Sequence, residues 1–563
     1  MKLNLDFQPA LFSMLKGYSK ETFIRDLISG IVVVVVALPL TIALAIASGV
    51  SPEQGLLSAI IGGFLISFLG GSTAQIGGPT GAFIVIVFGI IQKFGFEGLV
   101  VATLMSGIIL VLLGVFKMGR VITYIPYPII VGFSSGIALI IFSIQIPDLL
   151  GLTINEIPMN FIGKWTTYFQ SISSVNWITL LVSLATIAII VVTPKINKRL
   201  PGLVVAFILM TVLAFVLRTY CGVSSDAVEC IGDRFAIKSE IPAPHFVPVT
   251  LDMMRELLPS AFTLALLGAI QALLSATVVD GLTGERHNSN TELMAQGVAN
   301  IVVPLFGGIP VTGAIARTLT NASSGGKTPF VGIIHSLVLL LILLFMGQLI
   351  QYIPVAALAG VLVVVSYNMS DWRTFRSLLK SSSSDIIVLV TTFLLTVIFD
   401  LTMAIFVGLL MAMFLFMKRV AEVTKVSVAT GALDLSHDGE IEHAEEVLNI
   451  ADGVEVYEID GPFFFGAANK FNAVMGNVGS GKTKARVIRM RKVPFMDTTG
   501  VHNLEMLVKS SQNEGIKIVL SGVTPNVRSI LERSGFNKLV GEESICNDIH
   551  EALGVANKFV VNS

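Results

Sequence analysis

Long apolar runs broken by short polar segments fill most of the chain. A first set falls at about 27–47, 54–70, 79–91, 98–116, 122–142, 175–193 and 202–218. A polar stretch from Tyr220 to Pro259 follows, and its Pro-rich IPAPHFVP reads as an extended connector. A second set falls at about 260–280, 292–306, 311–323, 331–349, 354–367, 385–400 and 401–417. About 20 apolar residues cross a hydrocarbon core, so the pattern predicts about fourteen membrane segments, seven in each half. The third run of each half is short and opens on Gly-Gly and Pro: AQIGGPTGAF (74–83) and GGIPVTGAIARTLTNAS (307–323). Matched interruptions of this kind predict half-helices that frame a binding site, and odd-numbered halves predict an inverted repeat.

After about Val420 the composition turns soluble. Strands are expected at Val454–Ile459, Arg486–Met490 and Lys517–Leu520. Helices are expected within GPFFFGAANKFNAVM, after Asp497 through Lys509, at Asn526–Arg533 and at Asp548–Leu553. That alternation predicts a small α/β domain. The expected division is a cytoplasmic segment 1–26, a membrane domain 27–420, a linker 421–450 and the α/β domain 451–563.

Composition agrees with a polytopic membrane protein. Hydrophobic residues make up 53% and charged residues 13%, and the mean hydropathy is +0.82. A net charge of −1 gives no footing for nucleic-acid binding. The first apolar run is long and lacks an A-x-A cleavage site, so it is expected to remain as the first span. With the N-terminus inside, inner loops carry Lys117, Arg120, Lys195, Lys198, Arg199, Arg286, Lys327, Arg373, Arg376, Lys380, Lys418 and Arg419. Outer loops carry fewer: Lys93, Lys164, Arg218, Arg234, Lys238 and Arg255. The bias places both termini in the cytoplasm of a bacterial inner membrane. Of the three cysteines, Cys221 and Cys230 then lie outside, where they either pair or stay as free thiols.

Arg317 is the only Lys or Arg between Arg286 and Lys327, and an intramembrane charge is functional by default. Free N–H groups at two half-helix N-termini, beside this cation, would form an anion site. Thr80, Thr312, Thr318 and Thr320 can donate hydrogen bonds there or bond their own helices. Gln271 lies mid-span, where it lines the site or ties helices together. His335 is a proton relay or a hydrogen-bonded packing residue. Asp280 and Asp400 fall at span ends, solvated or capping, and Asn290 is a cap for a helix starting near Glu292. Gly476–Thr483 fits GxxxxGK[ST], but a helix precedes it and a strand follows, the reverse of a phosphate-binding loop. A flexible Gly/Ser loop is the better reading.

Several stretches resemble the SulP-type anion transporters, the sulfate-permease family: ALPLTIALAIASG (37–49), GGPTGAF (77–83), GFSSGIAL (132–139), DGLTGERHNSNTEL (280–293) and GGIPVTGAIART (307–318). The tail resembles their STAS module. The resemblance implies a seven-plus-seven inverted repeat, a core domain moving against a gate domain, homodimers, and an anion between the third and tenth segments. Carried to this chain, the site comprises Thr80, Gly81, Ala82 and Phe83 on one half-helix. Gly313, Ala314, Ala316, Arg317 and Thr318 lie on the other, with Gln271 alongside. PLTIALA and GAIQALLSATVVDGLTG are most similar to the dicarboxylate and bicarbonate branch. Many cation-coupled relatives carry a carboxylate where this chain has Gln271, and an amide can neither titrate nor replace that charge. Proton or sodium coupling through this position, or with His335, is therefore open. In Asp497-Thr498-Thr499-Gly500, Thr498 occupies the position of a phosphorylatable hydroxyl in STAS modules, with a plain helix cap as the alternative.

The expectation is a secondary active transporter of a small anion, either a C4-dicarboxylate, bicarbonate or sulfate, and not an enzyme. It needs no cofactor or metal. Its partners are the anion, the bilayer, a second copy and a cytoplasmic protein at the STAS domain. An anion channel or uncoupled exchanger using the same pocket, and a nucleotide-regulated protein, are the alternatives.

Overall fold

The structure is a computed structural model. It describes residues 7–562 apart from 16, 121–124, 155, 159, 198–200, 221, 223, 225–227, 238, 400, 430–431, 435–446 and 467–482. The chain forms two compact units, Met1–Leu410 and Met411–Ser563.

The first unit is helical. Its elements are α1 (Lys20–Ala47), α2 (Pro52–Leu69, with a π-helical turn at Ser58–Gly62), and α3 (Ile84–Val115) led by a 3-10 turn at Gly81–Phe83. Then come α4 (Tyr127–Leu150), α5 (Phe161–Gln170), α6 (Trp177–Ile196) and α7 (Gly202–Thr219). The second half holds α8 (Leu251–Thr283), α9 (Ser289–Val302), α10 (Ile315–Ser323), α11 (Phe330–Ile350) and α12 (Val355–Met369). It ends with α13 (Trp372–Leu378), α14 (Ser383–Ile398) and α15 (Leu401–Val423). Among the described residues ten helices are long and apolar enough to cross a membrane. The expected third and fourth segments are merged in that count, because α3 runs through both and kinks at Gly95. The expected segments near 292–306, 311–323 and 385–400 are represented by the shorter α9, α10 and α14.

Side-chain caps set many of the helix starts. Ser19, Asn160, Asn176 and Ser382 each accept an N–H from the first turn of α1, α5, α6 and α14. Ser51 and Gln54 form a capping box at α2. Thr250 caps α8 at Met253 N, so this helix begins well before the expected 260. Its added first turns carry exposed Asp252, Arg255 and Glu256, which no hydropathy window would include. Asn288, not Asn290, caps α9, because Asn288 holds the extended backbone a cap needs. Asn290 instead accepts Gly119 N from across the unit.

The helices pack in two groups. In one, α9 and α8 lie along α3, α11 lies against α1 and α2, and α10 touches α8 and α1. In the other, α4 packs on α14 and α12, α12 on α6, and α6 on α7. The α3–α9 crossing is close because two glycines face each other. A Cβ at Gly107 would stand 2.7 Å from Gly297 O, and one at Gly297 2.6 Å from Gly107 O. The divider from Tyr220 is tied by Arg234, which pairs with Glu229 and with Asp148 at the end of α4. Residues 241–250 form neither helix nor strand, as IPAPHFVP suggested. Cys230 is a buried free thiol, and Cys221 lies outside the described residues.

The second unit centres on a five-stranded sheet. Its strands are β3 (Lys425–Ala429), β4 (Val454–Asp460), β5 (Ala485–Lys492), β6 (Lys517–Ser521) and β7 (Ile545–Cys546), in that spatial order. The two short strands β1 and β2 belong to the first unit and are described below. Within the five-stranded sheet only the β3–β4 pair is antiparallel. The helices are α16 (Thr498–Asn513), α17 (Pro525–Ser534), α18 (Phe536–Val540) and α19 (Ile549–Asn562). Alternation splits the sheet faces. Val456, Val487 and Val519 bury against Ala552 and Leu553, while Ile488, Met490 and Leu520 bury against Leu504, Val508 and Leu531. Within the stretch expected to be a linker, Lys425–Ala429 is the antiparallel edge strand. Residues 467–482, which hold most of the expected first helix and of the GxxxxGK match, lie outside the described residues.

Gly297→Val should force α9 off α3, at a cost of about 1–3 kcal/mol or more. A lowered apparent melting temperature of the detergent-purified variant checks this, whereas Ala295→Ser at a neighbouring α9 position should melt closer to the parent.

Candidate functional site

The two interrupted segments meet. Gly77–Gly78 (β1) and Thr312–Gly313 (β2) pair antiparallel, Gly77 opposite Gly313 and Gly78 opposite Thr312. Ala314 N extends the pairing to Ile76 O at 2.9 Å. Pro79 and Pro310 flank the crossing and keep either segment from continuing as helix. From this crossing start the 3-10 turn at Gly81 and the helix α10 at Ile315. Neither N-terminus has a side-chain cap, since Thr80 caps nothing and Ala314 has no polar atom to offer. The first backbone N–H groups of both are thus left uncapped, at the positive ends of helix dipoles.

Backbone this irregular must be satisfied by the protein itself inside a bilayer. Asn300 clamps Val311, accepting its N–H at 2.9 Å and donating to its carbonyl at 2.7 Å. Ser58 accepts Ile309 N at 2.7 Å. Gln75 donates to Ala272 O and Thr312 to Gly268 O, so both strands dock on α8. Asn321 donates to Ala74 O and accepts from Ser29 Oγ. The buried Glu292 carboxylate accepts Gly71 N and Ser72 N.

Arg317 takes part in the same work. It is 2% exposed. Its Nη2 donates to Thr41 Oγ1 at 2.7 Å and to Pro79 O at 3.4 Å, and its Nη1 to Gly77 O at 3.5 Å. The guanidinium therefore staples the β1 turn to α1, and its charge lies under the turn. Gly78 at φ +152° is required there, because a Cβ would stand 2.0 Å from Arg317 Nη1.

Three hydroxyls expected to face an anion are already engaged. Thr312 donates to Gly268 O, Thr318 accepts Ile76 N and Ser275 Oγ, and Thr320 donates to Ala316 O. Thr80 differs: its hydroxyl is buried and has no partner among the described residues. Gln271 is half-buried on α8, between the two residues whose carbonyls hold the strands, and makes no hydrogen bond among the described residues. Ala316 is exposed at the start of α10, and Ala314 and Gly313 are buried beside it. Gly81 is half-buried, with Met369 of α12 and Ile141 of α4 closest to where a side chain would stand. Ala82 and Phe83 are buried, and Phe83 lies against Gly268 of α8. The crossing thus brings together Thr80, Gly81, Gln271, Gly313, Ala314 and Ala316.

His335 is fully buried on α11, but neither ring nitrogen has a partner among the described residues, which differs from the hydrogen-bonded packing residue expected. It lies beside Gly63, as does Gly77 O. Asp280 pairs with His287, 2.6 Å away, and Asp400 lies outside the described residues. In the second unit Asp497 caps α16 through Gly500 N, and Thr498 is exposed in its first turn. Sequence reading missed Thr41, Gln75, Ser275 and Asn300, uncharged polar residues whose partners lie on other segments.

The sequence matches the model of the sulfate permease family over residues 23–392 and that of the STAS domain over 447–552. It is 38% identical to a putative sulfate transporter, YvdB, of Bacillus subtilis, covering 96% of this chain and 99% of that one. It is 32% identical to the bicarbonate transporter BicA of Picosynechococcus sp., covering 94% of each. The solved transmembrane domain of a cyanobacterial BicA superposes with a TM-score of 0.61 at 31% identity, over 70% of this chain and 98% of that one. The murine anion transporter Slc26a9 in its inward-facing state shares the fold, with a TM-score of 0.86 at 20% identity over 98% and 94% of the two chains. The chain belongs to the sulfate permease family, a family of membrane transporters rather than enzymes, and ends in a STAS domain.

Proposed function

We propose that this protein carries a small oxyanion across the bacterial plasma membrane by alternating access, with bicarbonate as the favoured substrate. One observation carries the reading: two uncapped helix N-termini meet at the β1–β2 crossing, beside a Thr80 hydroxyl and a Gln271 amide that have no partners among the described residues. Each helix end carries about half a positive charge and the Arg317 guanidinium adds its own beneath the turn, so the crossing attracts anions. Its single compact cluster of donors favours a compact oxyanion over a C4-dicarboxylate, whose two ends would need separated partners. The bicarbonate transporter among the relatives supports the same choice, while the putative sulfate transporter keeps sulfate as the competing substrate.

Gly81 faces Met369 and Ile141, which belong to the helix group opposite its own. Sliding one group past the other would open the site to alternate sides without disturbing the crossing. The amide at position 271 holds neither a proton nor a sodium ion in place of a carboxylate. The carrier is therefore driven by anion gradients, not by a cation bound there. The positive-inside bias supports cytoplasmic termini.

Uptake of radiolabelled bicarbonate, sulfate and fumarate into proteoliposomes tests the substrate. Saturable bicarbonate uptake, unchanged by imposed proton or sodium gradients, is expected. Uptake confined to sulfate or fumarate would overturn the substrate, and cation-driven uptake would overturn the driving force.

In the same vesicles Thr80→Val should raise the KM about tenfold, the effect of losing one hydrogen bond to a charged ligand. Arg317→Ala should abolish uptake by releasing the β1 turn from Thr41. Wild-type kinetics in either variant would contradict its assigned role.

A further inference from the structure

Lys164 stands on α5, in the loop between α4 and α6, and plays no part in the site above. It is only 7% exposed. Its ammonium lies 5.4 Å from the centroid of the Phe88 ring. Among the described residues no carboxylate pairs with it and no hydrogen bond holds it. Burial alone pushes its pKa below the ordinary lysine value. Asp148, at the end of α4, is paired with Arg234 at 2.7 Å. An unpaired buried ammonium is costly, and a cation–π contact with Phe88 offsets little of that cost.

The position of Phe88 gives the arrangement a use. Phe88 belongs to the first half of α3, about two turns beyond Gly81, or roughly 10 Å at 1.5 Å per residue. Gly81 lies against Ile141 of α4. Trp165, next to Lys164, donates to Ser143 Oγ of α4 at 3.1 Å. One seam between α3 and α4 thus runs from the uncapped half-helix to the underside of α5. Lys164 and Phe88 close the far end of that seam.

We propose that Lys164 is a second anion subsite, a capture residue at the mouth of the pathway that draws a small oxyanion toward the Thr80–Gly81 site. It rests on the anion-transport reading above. In the present state Phe88 covers the ammonium. Parting of α3 from α4 frees it, and an incoming oxyanion supplies the counter-charge the protein withholds. Phe88 then separates the two subsites, so the anion passes from one to the other as the seam opens.

The test is initial-rate uptake in proteoliposomes at low and high ionic strength. Lys164→Gln should lower kcat/KM about tenfold at low salt, the size of a lost steering charge, and the deficit should shrink at high salt, where attraction is screened. Lys164→Arg should stay near wild type. Lys164→Cys, labelled after reconstitution, separates charge from shape. Aminoethyl methanethiosulfonate, which restores an ammonium, should recover the low-salt rate, and the neutral methyl reagent should not. A glutamine variant equal to wild type at low salt would overturn the assignment. So would a deficit independent of salt, or equal rescue by the neutral reagent. Wild-type protein that moves no anion would instead remove the transport reading itself.

Discussion

Backbone that leaves helical geometry inside a bilayer must find every hydrogen-bond partner within the protein. This chain breaks two helices at the same depth, and the rest of the first unit is arranged to meet that demand. The breaks satisfy each other in part through the β1–β2 ladder. Asn300, Gln75, Thr312, Thr318, Asn321 and Ser58 serve the remaining carbonyls and N–H groups. At the crossing itself, the first turn after each break has no side-chain cap and the Thr80 hydroxyl has no partner among the described residues. That unmet polar capacity, at two positive helix ends, is where the proposed site holds its anion.

In this light Arg317 acts differently from a simple anion ligand. Its donors are directed at Thr41 and at two carbonyls of the β1 turn. The positive charge still raises the potential at the helix ends, but the anion need not touch it. A guanidinium fixed in this way keeps its geometry whether the site is filled or empty. A transporter benefits from that constancy, because a site that collapses on release would resist reloading. The facing group, α4, α12 and α14, meets the site through apolar contacts such as Ile141 and Met369. Contacts of that kind can slide, whereas the hydrogen-bonded crossing cannot.

Much of this was legible in the sequence. Gly-Gly-Pro inside an apolar run has few structural meanings, so both breaks and the isolated Arg317 stood out. The soluble tail's alternating strands were readable because each carries buried Val, Ile, Leu or Met on its two faces. The partners were not legible. Thr41 and Ser275 look like ordinary membrane-helix hydroxyls, since a threonine can always bond its own helix. Thr318 looked free for the same reason, and only the chain crossing reveals that it accepts Ile76 N. Asn288 and Asn290 compete as caps in one loop, and the backbone angle at Asn288 decides between them. The start of α8 and the edge strand β3 were obscured by charge, because Asp252, Arg255 and Glu256 interrupt the one and Lys418, Arg419, Glu422 and Lys425 lead into the other.

The most direct test of the central claim is the structure of the protein in lipid nanodiscs with saturating bicarbonate, determined at a resolution that shows the bound anion. The account predicts density at the β1–β2 crossing, within hydrogen-bond distance of the N–H groups at the starts of the Gly81 turn and of α10 and of Thr80 Oγ1. Arg317 should remain on Thr41. An anion held directly by the Arg317 guanidinium, with the Thr41 contact broken and the half-helix N–H groups facing no ligand, would contradict it.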